Sequence, residues 1–335
     1  MAYDVSVKID LTMPLGKVGF GVPMILQENA EKAVDYVEVT GIAGVVDAGF
    51  ATSSIVYKAA VLLFAQPNAP KQIAVCAVTG TAKDALADAA LISKGWRHLI
   101  VVDADGAAAA SSDLINAVEA LDGKMLFVGV DTDDTSVTAI SGMRRTVVFY
   151  CDATEAVPVP VAALVGEIAG RTVGSYTAKN LVLSGILPQN LTDAQVEAIH
   201  KKGGITFIQK AGDNVTSEGK VAGGEYIDII DNEDYIVHQL IYRTQKLLNT
   251  AAKIPYDNNG IGMLESVAVD VLQTCFNNGM IAVKADGTPD YFVSYALRED
   301  VSASDRANRH YPGGKFGFAL AGAIHEVYIT GTITV

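Results

Sequence analysis

The chain has 335 residues, enough for two domains, and half of those residues are hydrophobic. Its formal net charge of −13 argues against nonspecific binding to nucleic acid or to an anionic membrane surface. No apolar run approaches the ~20 residues of a transmembrane helix, and the first residues lack the basic and apolar regions of a secretory signal.

The amino-terminal residues alternate between apolar and polar side chains. This period of two predicts a β-strand over residues 3–12. A second apolar strand is predicted over residues 17–27, where Gly19, Gly21 and Pro23 interrupt the pattern. The apolar face of the first strand consists of Tyr3, Val5, Val7, Ile9 and Leu11.

The middle of the chain repeats one simple unit. A helix predicted over residues 51–65, opened by Thr52, Ser53 or Ser54, comes first. Short apolar runs then alternate with amphipathic segments, which is typical of βαβ units and a parallel sheet. The predicted strands are 73–78, 98–103, 125–130 and 146–151, and the helices that follow them are 82–94, 112–121, 135–141 and 159–171.

The carboxy-terminal half predicts a mixed or antiparallel sheet with two long helices. Thr192 and Gln195 form a capping box that opens a helix ending at Gly203. Antiparallel strands are predicted over residues 205–210, 219–222 and 225–231. A long helix capped by Asp231 or Asn232 and a second helix over residues 259–277 follow.

The last residues change period twice. A short helix is predicted over Val301–Arg309, with Ser302 as its N-cap facing Asp305. Alternation resumes after Lys315 and predicts a strand that runs to the final residue. The edge of such a strand exposes unpaired backbone N–H and C=O groups, so the strand either joins its own sheet or pairs with another molecule. Its apolar face consists of Val327, Ile329, Ile333 and Val335.

Acidic loops follow the predicted parallel strands. Asp103 and Asp105 follow one strand, and Asp131–Asp134 follow the next. Clustered carboxylates at that edge of a sheet can hold Mg²⁺, which allows a Mg²⁺-dependent α/β enzyme acting on a phosphorylated small molecule. The other interpretation is that these residues cap helices and end strands, and it is favoured because no glycine-rich phosphate loop accompanies them.

Other catalytic and metal-binding chemistry is not indicated. The five histidines never occur in pairs at metal spacing, and we expect no metal, no cofactor and no catalytic residue. The widely spaced Cys76, Cys151 and Cys275 indicate synthesis in a reducing cytoplasm.

Several short motifs occur in one order along the chain. They are G-F-G-V-P (19–23), L-T-D-A-Q (191–195), G-E-Y-I-D-I-I (224–230), A-D-G (285–287), D-V-S-A-S-D-R-A-N-R (300–309) and L-A-G-A-I-H-E-V-Y-I-T-G-T (320–332). In this order they resemble the contractile tail sheath proteins of phages and phage-like bacteriocins (tailocins). The resemblance covers the carboxy-terminal third well, and residues 51–185 carry no matching motif.

The resemblance implies a structural protein, not an enzyme. Its subunits would be linked by strand exchange and stack as hexameric rings around an inner tube, which contraction drives through a target envelope. It implies strand arms at 1–18 and 323–335, an α/β domain at 19–190 and a sheath-like α+β domain at 191–322.

The implied partners are further copies of this chain, the inner tail tube protein, and baseplate and terminator proteins, with no nucleic acid and no membrane contact. The protein would be made in the bacterial cytoplasm and act in a virion tail or tailocin particle. By the same resemblance, Arg298, Arg306 and Arg309 would face the tube. Alternatively, Arg306 pairs with Asp305 or Asp300, or supports the fold.

Overall fold

A computed structural model describes residues 20–108, 111–134, 142–328 and 330. The chain divides into two compact units, Met1–Lys253 (unit 1) and Ile254–Val335 (unit 2). The domain boundaries predicted after residues 18, 190 and 322 remain predictions. The strand predicted over 3–12 and the helix predicted over 135–141 lie outside the described residues.

Unit 1 is an α/β structure around one sheet. Its strands are β1 (Val22–Gln27), β2 (Val34–Val39), β3 (Ile73–Ala77), β4 (Trp96–Val102), β5 (Met125–Val130), β6 (Thr146–Tyr150), β7 (Gly204–Lys210) and β8 (Asp213–Thr216). Its helices are α1 (Ile42–Asp47), α2 (Ile55–Phe64), α3 (Ala82–Ala85), α4 (Ala89–Ile92), α5 (Ser112–Glu119), α6 (Val161–Ala169), α7 (Asp193–Lys201) and α8 (Ile227–Thr250).

The eight strands lie in the order β2-β3-β1-β4-β5-β6-β7-β8. The six central strands are parallel, and the edge strands β2 and β8 are antiparallel to their neighbours. The predicted parallel sheet is therefore confirmed. β7 pairs with β6, so the sheet continues past residue 190.

Alternate residues of the strands supply two hydrophobic cores, one on each face of the sheet. Ile25 and Ile100 point into one core with residues of α2 and α6. Met24 and Leu99 point into the other with residues of α5. Both faces are covered, which is why the strands read as continuous apolar runs.

Local capping decides where several helices begin. Ser54 accepts a hydrogen bond from the Tyr57 N–H at the start of α2. The capping box of Thr192 and Gln195 opens α7, as predicted. The single helix predicted over 82–94 was wrong: it is two short helices, because the Asp88 side chain caps α4.

The long helix α8 begins earlier than predicted. It starts at Ile227 after Tyr226, so the expected Asp231 or Asn232 cap and the strand over 225–231 were wrong. Residues 219–222 form no strand either; Lys220 makes only an isolated bridge with Tyr226. The reason is tertiary: Ile227 and Ile230 pack into the core of unit 1, and Asp231 is buried beside them.

Unit 2 is smaller, and its described residues form two α-helices, two strands and a 3₁₀ turn at Arg298–Asp300. The helices and strands are α9 (Asn258–Asn277), β9 (Tyr291–Tyr295), α10 (Ala303–Ala307) and β10 (Gly314–Phe318). The predicted Ser302 cap is confirmed, since its side chain accepts from the Asp305 N–H. The strand predicted to run from after Lys315 to the final residue was wrong over residues 321–328, which form neither helix nor strand; only its start is part of a described strand, β10.

Candidate assembly interface

β9 and β10 form an antiparallel sheet of two strands. Tyr295 pairs with Gly314, and Tyr291 pairs with Phe318 at the other end. Within the described residues neither strand pairs with a third strand, so each keeps one unpaired edge. A sheet of two strands is marginally stable alone, and its free backbone groups can pair with an added strand.

One face of this sheet packs on α9 and the other is exposed. Tyr291, Val293 and Tyr295 are half-buried, and the Tyr291 hydroxyl donates to Gln273 Oε1 of α9 at 3.1 Å. Phe292 on the opposite face is 59% exposed, and its ring covers Gly317. A Cβ at Gly317 would lie 2.4 Å from that ring, so a larger residue there would have to displace the exposed ring.

The segment after β10 exposes large apolar side chains. Ile324, Val327 and Tyr328 are 86%, 73% and 89% exposed. Exposed apolar residues grouped in this way mark an interaction segment. Of the predicted arm residues only Val327 is described; Val5, Val7, Ile9, Leu11, Ile329, Ile333 and Val335 lie outside the described residues.

Two of the predicted tube-facing arginines bind backbone carbonyls. Arg306 donates to the carbonyls of Arg298 and Val301, and Arg298 Nε donates to the Tyr256 carbonyl at 3.0 Å. Arg306 therefore holds the local backbone, as the alternative interpretation expects, and its contact with the tube stays a prediction. Arg309 is exposed and has a left-handed backbone (φ 55°).

The carboxylate of Asp305 is not the partner of Arg306. It accepts hydrogen bonds from the Ser302 hydroxyl at 2.6 Å and lies 3.1 Å from His310 Nδ1. The Ser302 hydrogen bond, followed by that of His310, lowers the pKa of Asp305. Within the described residues Arg298 and Arg306 donate to backbone carbonyls, whereas the guanidinium of Arg309 donates to none.

The acidic loops of unit 1 hold backbone turns. Asp103 Oδ1 accepts from the Asp105 and Gly106 N–H groups at 2.8 and 3.0 Å. Asp131 Oδ1 accepts from the Ala153 N–H at 2.9 Å, and Asp152 does the same for Thr132. Among the described residues there is no group of three or more His, Cys, Asp or Glu arranged to hold a metal.

A buried ionic network in unit 1 was missed by sequence reasoning. Arg97 donates to Asp231 and, at 2.8 Å, to Asp234, and Arg145 donates to both oxygens of Asp234 at 2.9 and 3.0 Å. All four side chains are at most 5% exposed. The arginines begin β4 and β6, and the aspartates lie on α8, so the network fixes α8 to the amino ends of the strands. The sequence feature that could have indicated this network is the position of Asp231 and Asp234 inside an apolar helical stripe.

The carboxy-terminal part of the chain matches a known family. Residues 227–333 match the profile described as the C-terminal domain of the E217 tail sheath protein gp31-like family. This part of the chain is therefore similar to a tail sheath domain. The match begins at the first residue of α8 and includes β9, α10 and β10. No curated protein matches the chain.

Solved structures share the fold over the whole chain. The anti-feeding prophage (AFP) baseplate is matched with a TM-score of 0.70 and 16% identity, over 99% of this chain and 98% of that chain. The PVC sheath complex of an extracellular contractile injection system, in the contracted state, matches with a TM-score of 0.72 and 12% identity, over 99% of this chain and 98% of that chain. The contracted AFP helical sheath matches with a TM-score of 0.65 and 15% identity, over 100% of this chain and 99% of that chain.

At these identities the likeness establishes the fold. The predicted fold class is confirmed, and the resemblance to tail sheath proteins is confirmed by the profile match over residues 227–333. None of these matches is to an enzyme. No helix among the described residues is both long and apolar enough to cross a membrane.

Proposed function

We propose that this protein is the structural subunit of a contractile tail sheath, in which exchanged strands link neighbouring copies around an inner tube. The observation that supports this most directly is the two-stranded sheet of unit 2, in which each strand has an edge that no other described residue pairs with. A free edge is completed by a strand from another chain, because main-chain hydrogen bonds supply affinity and alternate side chains supply register.

The ends of the chain suit those edges in number and pattern. Residues 3–12 and 323–335 both alternate apolar and polar side chains, and the described part of each copy has two strand edges without a partner. Two arms given to two different neighbours create heterologous contacts, which close into rings or propagate as a helix. Stacked hexameric rings are the form that we infer for this protein.

Contraction then re-packs the bodies while the strand links hold. The energy resides in the extended lattice, so no nucleotide, metal or cofactor is required. The partners are other copies, the inner tail tube protein, and the baseplate and terminator proteins. The chain is made in the bacterial cytoplasm and acts in a phage tail or tailocin.

The experiment compares the whole chain with variants that lack residues 1–18 or 323–335. We expect the whole chain to form rings or tubules in negative-stain electron microscopy, and each deletion to leave a folded chain that does not assemble. A composition-matched scramble of residues 3–12 is the control, since it keeps length and charge and removes the alternation. Deletions that assemble normally, or that unfold unit 2, would contradict the proposal.

The grip on the tube is tested at Arg309. We propose that this exposed cation meets an acidic site on the tube, with a contribution per contact of about 0–1 kcal/mol repeated over the lattice. Arg309→Glu should abolish extended sheath on tubes and leave tube-free contracted sheath intact. Lys284→Glu, the same charge change at an exposed residue of unit 2 outside β9 and β10, is the control. Persistent tube-filled sheath in the Arg309 variant would place the grip elsewhere.

A further inference from the structure

Phe20 lies where the amino-terminal arm leads into the sheet of unit 1. Its ring covers the guanidinium of Arg97, with Cζ 4.2 Å from the ring centroid. The same ring packs edge-on against Tyr235 at 5.3 Å and His238 at 6.3 Å, both on α8. The cation and the two rings thus hold Phe20 from β4 and from α8.

The next two residues fix the backbone at the same place. Gly21 has φ +121°, and a Cβ there would lie 2.7 Å from Arg97 Cβ. Any other residue would be strained and would collide with β4. The Val22 N–H then donates to the Gly95 carbonyl at 2.9 Å, which begins the pairing of β1 with β4.

Arg97 is itself held in place. Its guanidinium donates to Asp231 and Asp234 of α8 and, at 3.0 Å, to the Gly123 carbonyl, and the side chain is 1% exposed. His238 in turn stacks on Tyr242 at 6.2 Å with the rings 2° from parallel. The surface under Phe20 is therefore rigid, because a buried charge cannot move away from its paired carboxylates without a large penalty.

We propose that Phe20 is a positioning residue that anchors the base of the arm on Arg97 and α8, so that the arm leaves unit 1 from a fixed point. This inference rests on the proposed function, because it gives the amino-terminal arm its role. When a neighbouring copy pulls on the arm, the buried ionic network then resists the force, and β1 stays paired with β4.

The anchor also favours assembly. A residue that is already ordered loses no conformational entropy when the arm docks. Each residue that must be ordered on docking lowers the association constant by roughly a factor of ten. Loss of the Phe20 contacts should free at least this residue. The protein concentration needed for assembly should then rise about tenfold, with no change in the body.

The experiment uses the full chain with Phe20→Ala, Phe20→Leu and Phe20→Tyr. Leucine keeps the apolar volume and removes the ring face, and tyrosine restores the ring. Phe64→Leu, a half-buried phenylalanine of α2, is the matched control. Hydrogen exchange of the Val22 amide and the assembly concentration are both measured, and Trp96 fluorescence reports whether unit 1 stays folded.

We expect Phe20→Ala and Phe20→Leu to speed Val22 exchange about tenfold and to raise the assembly concentration, and Phe20→Tyr to behave as wild type. If Phe20→Ala also shifts the unfolding transition of unit 1 followed by Trp96 fluorescence, the exchange and assembly of Phe20→Leu test the proposal instead. If Phe20→Ala and Phe20→Leu both show the Val22 exchange rate and the assembly concentration of wild type, the anchor proposal is wrong. If instead the chain without residues 1–18 assembles like wild type, the role of the arm in the proposed function fails, and Val22 exchange still judges the anchor by itself.

Discussion

The two units of this protein solve the problem of sheet edges in different ways. Unit 1 builds eight strands, ends them with short antiparallel strands, and covers both faces with helices. Unit 2 has two strands, one face covered by α9 and the other exposing Phe292. Among the described residues, antiparallel strands end the sheet of unit 1, whereas both strands of unit 2 keep an unpaired edge, which we propose that other copies complete.

Their charges differ in the same sense. Unit 1 buries Arg97, Arg145, Asp231 and Asp234 together, where each charge has paired partners. In unit 2 the arginines lie at or near the surface and bind carbonyls or solvent. Buried pairs fix an element in one place, whereas exposed charges remain available to a partner.

The largest expected effect is from Arg97→Met. It leaves Asp231 without its arginine partner and should destabilise unit 1 by about 3–5 kcal/mol, because a buried charge without its pair is costly. Urea unfolding followed by Trp96 fluorescence measures this, since Trp96 is the single tryptophan and is buried in unit 1. Arg144→Met removes the neighbouring exposed pair with Glu233 and should cost about 0–1 kcal/mol. Equal effects would remove the contrast between buried and exposed charges.

The next effect concerns His98, whose two ring nitrogens have no hydrogen-bond partner within the described residues. Burial lowers its pKa to about 4. Below about pH 6.5 the unfolded ring gains a proton that the folded ring does not, so stability is present above pH 6.5 and is lost towards pH 4. From pH 7 to pH 5 the loss should be about 2 kcal/mol.

His98→Leu should remove that loss. The free energy of unfolding at pH 7 and pH 5, again followed by Trp96, measures it. His310→Leu in unit 2 is the control and should keep the pH dependence of the Trp96 transition. If His98→Leu keeps the full loss, other groups carry the acid sensitivity of unit 1.

A smaller effect of opposite sign is expected at Asp228. Burial raises its pKa to about 6, and its Oδ1 has no partner among the described residues. The folded carboxyl holds its proton where the unfolded one has lost it, so its contribution falls as the pH rises from about 4 to 6. Asp228→Asn should therefore gain about 1 kcal/mol over wild type at pH 7 relative to pH 5, because over that interval the unfolded wild-type carboxyl is ionised while the folded one still holds part of its proton. Thermal unfolding at the two pH values checks this, and an equal difference at both would refute it.

The smallest effect is expected at the acidic loops. Asp105→Asn and Asp131→Asn should change stability by less than about 0.5 kcal/mol and leave assembly unchanged. Calorimetric titration with Mg²⁺ should show no saturable binding. A site of micromolar affinity in the wild type, lost in both variants, would restore the enzyme hypothesis and with it a second function for unit 1.

The sequence determined the features that depend on near neighbours. Thr192 with Gln195 and Ser302 with Asp305 are three residues apart, so a single turn of helix brings the partners together. The buried parallel strands were equally readable, because a strand covered on both faces must be apolar throughout. The motif order also indicated the resemblance to tail sheath proteins.

Only the tertiary structure decided where α8 begins and what it does. Arg97 and Asp231 are 134 positions apart, and no period or spacing connects them. The strand pattern of residues 225–231 is satisfied equally by a helix once Ile227 and Ile230 pack into the core. The anchor of Phe20 is of the same kind. Its ring meets Arg97 and α8 only after the sheet has formed, because the free energy of burial depends on which surfaces the fold brings together.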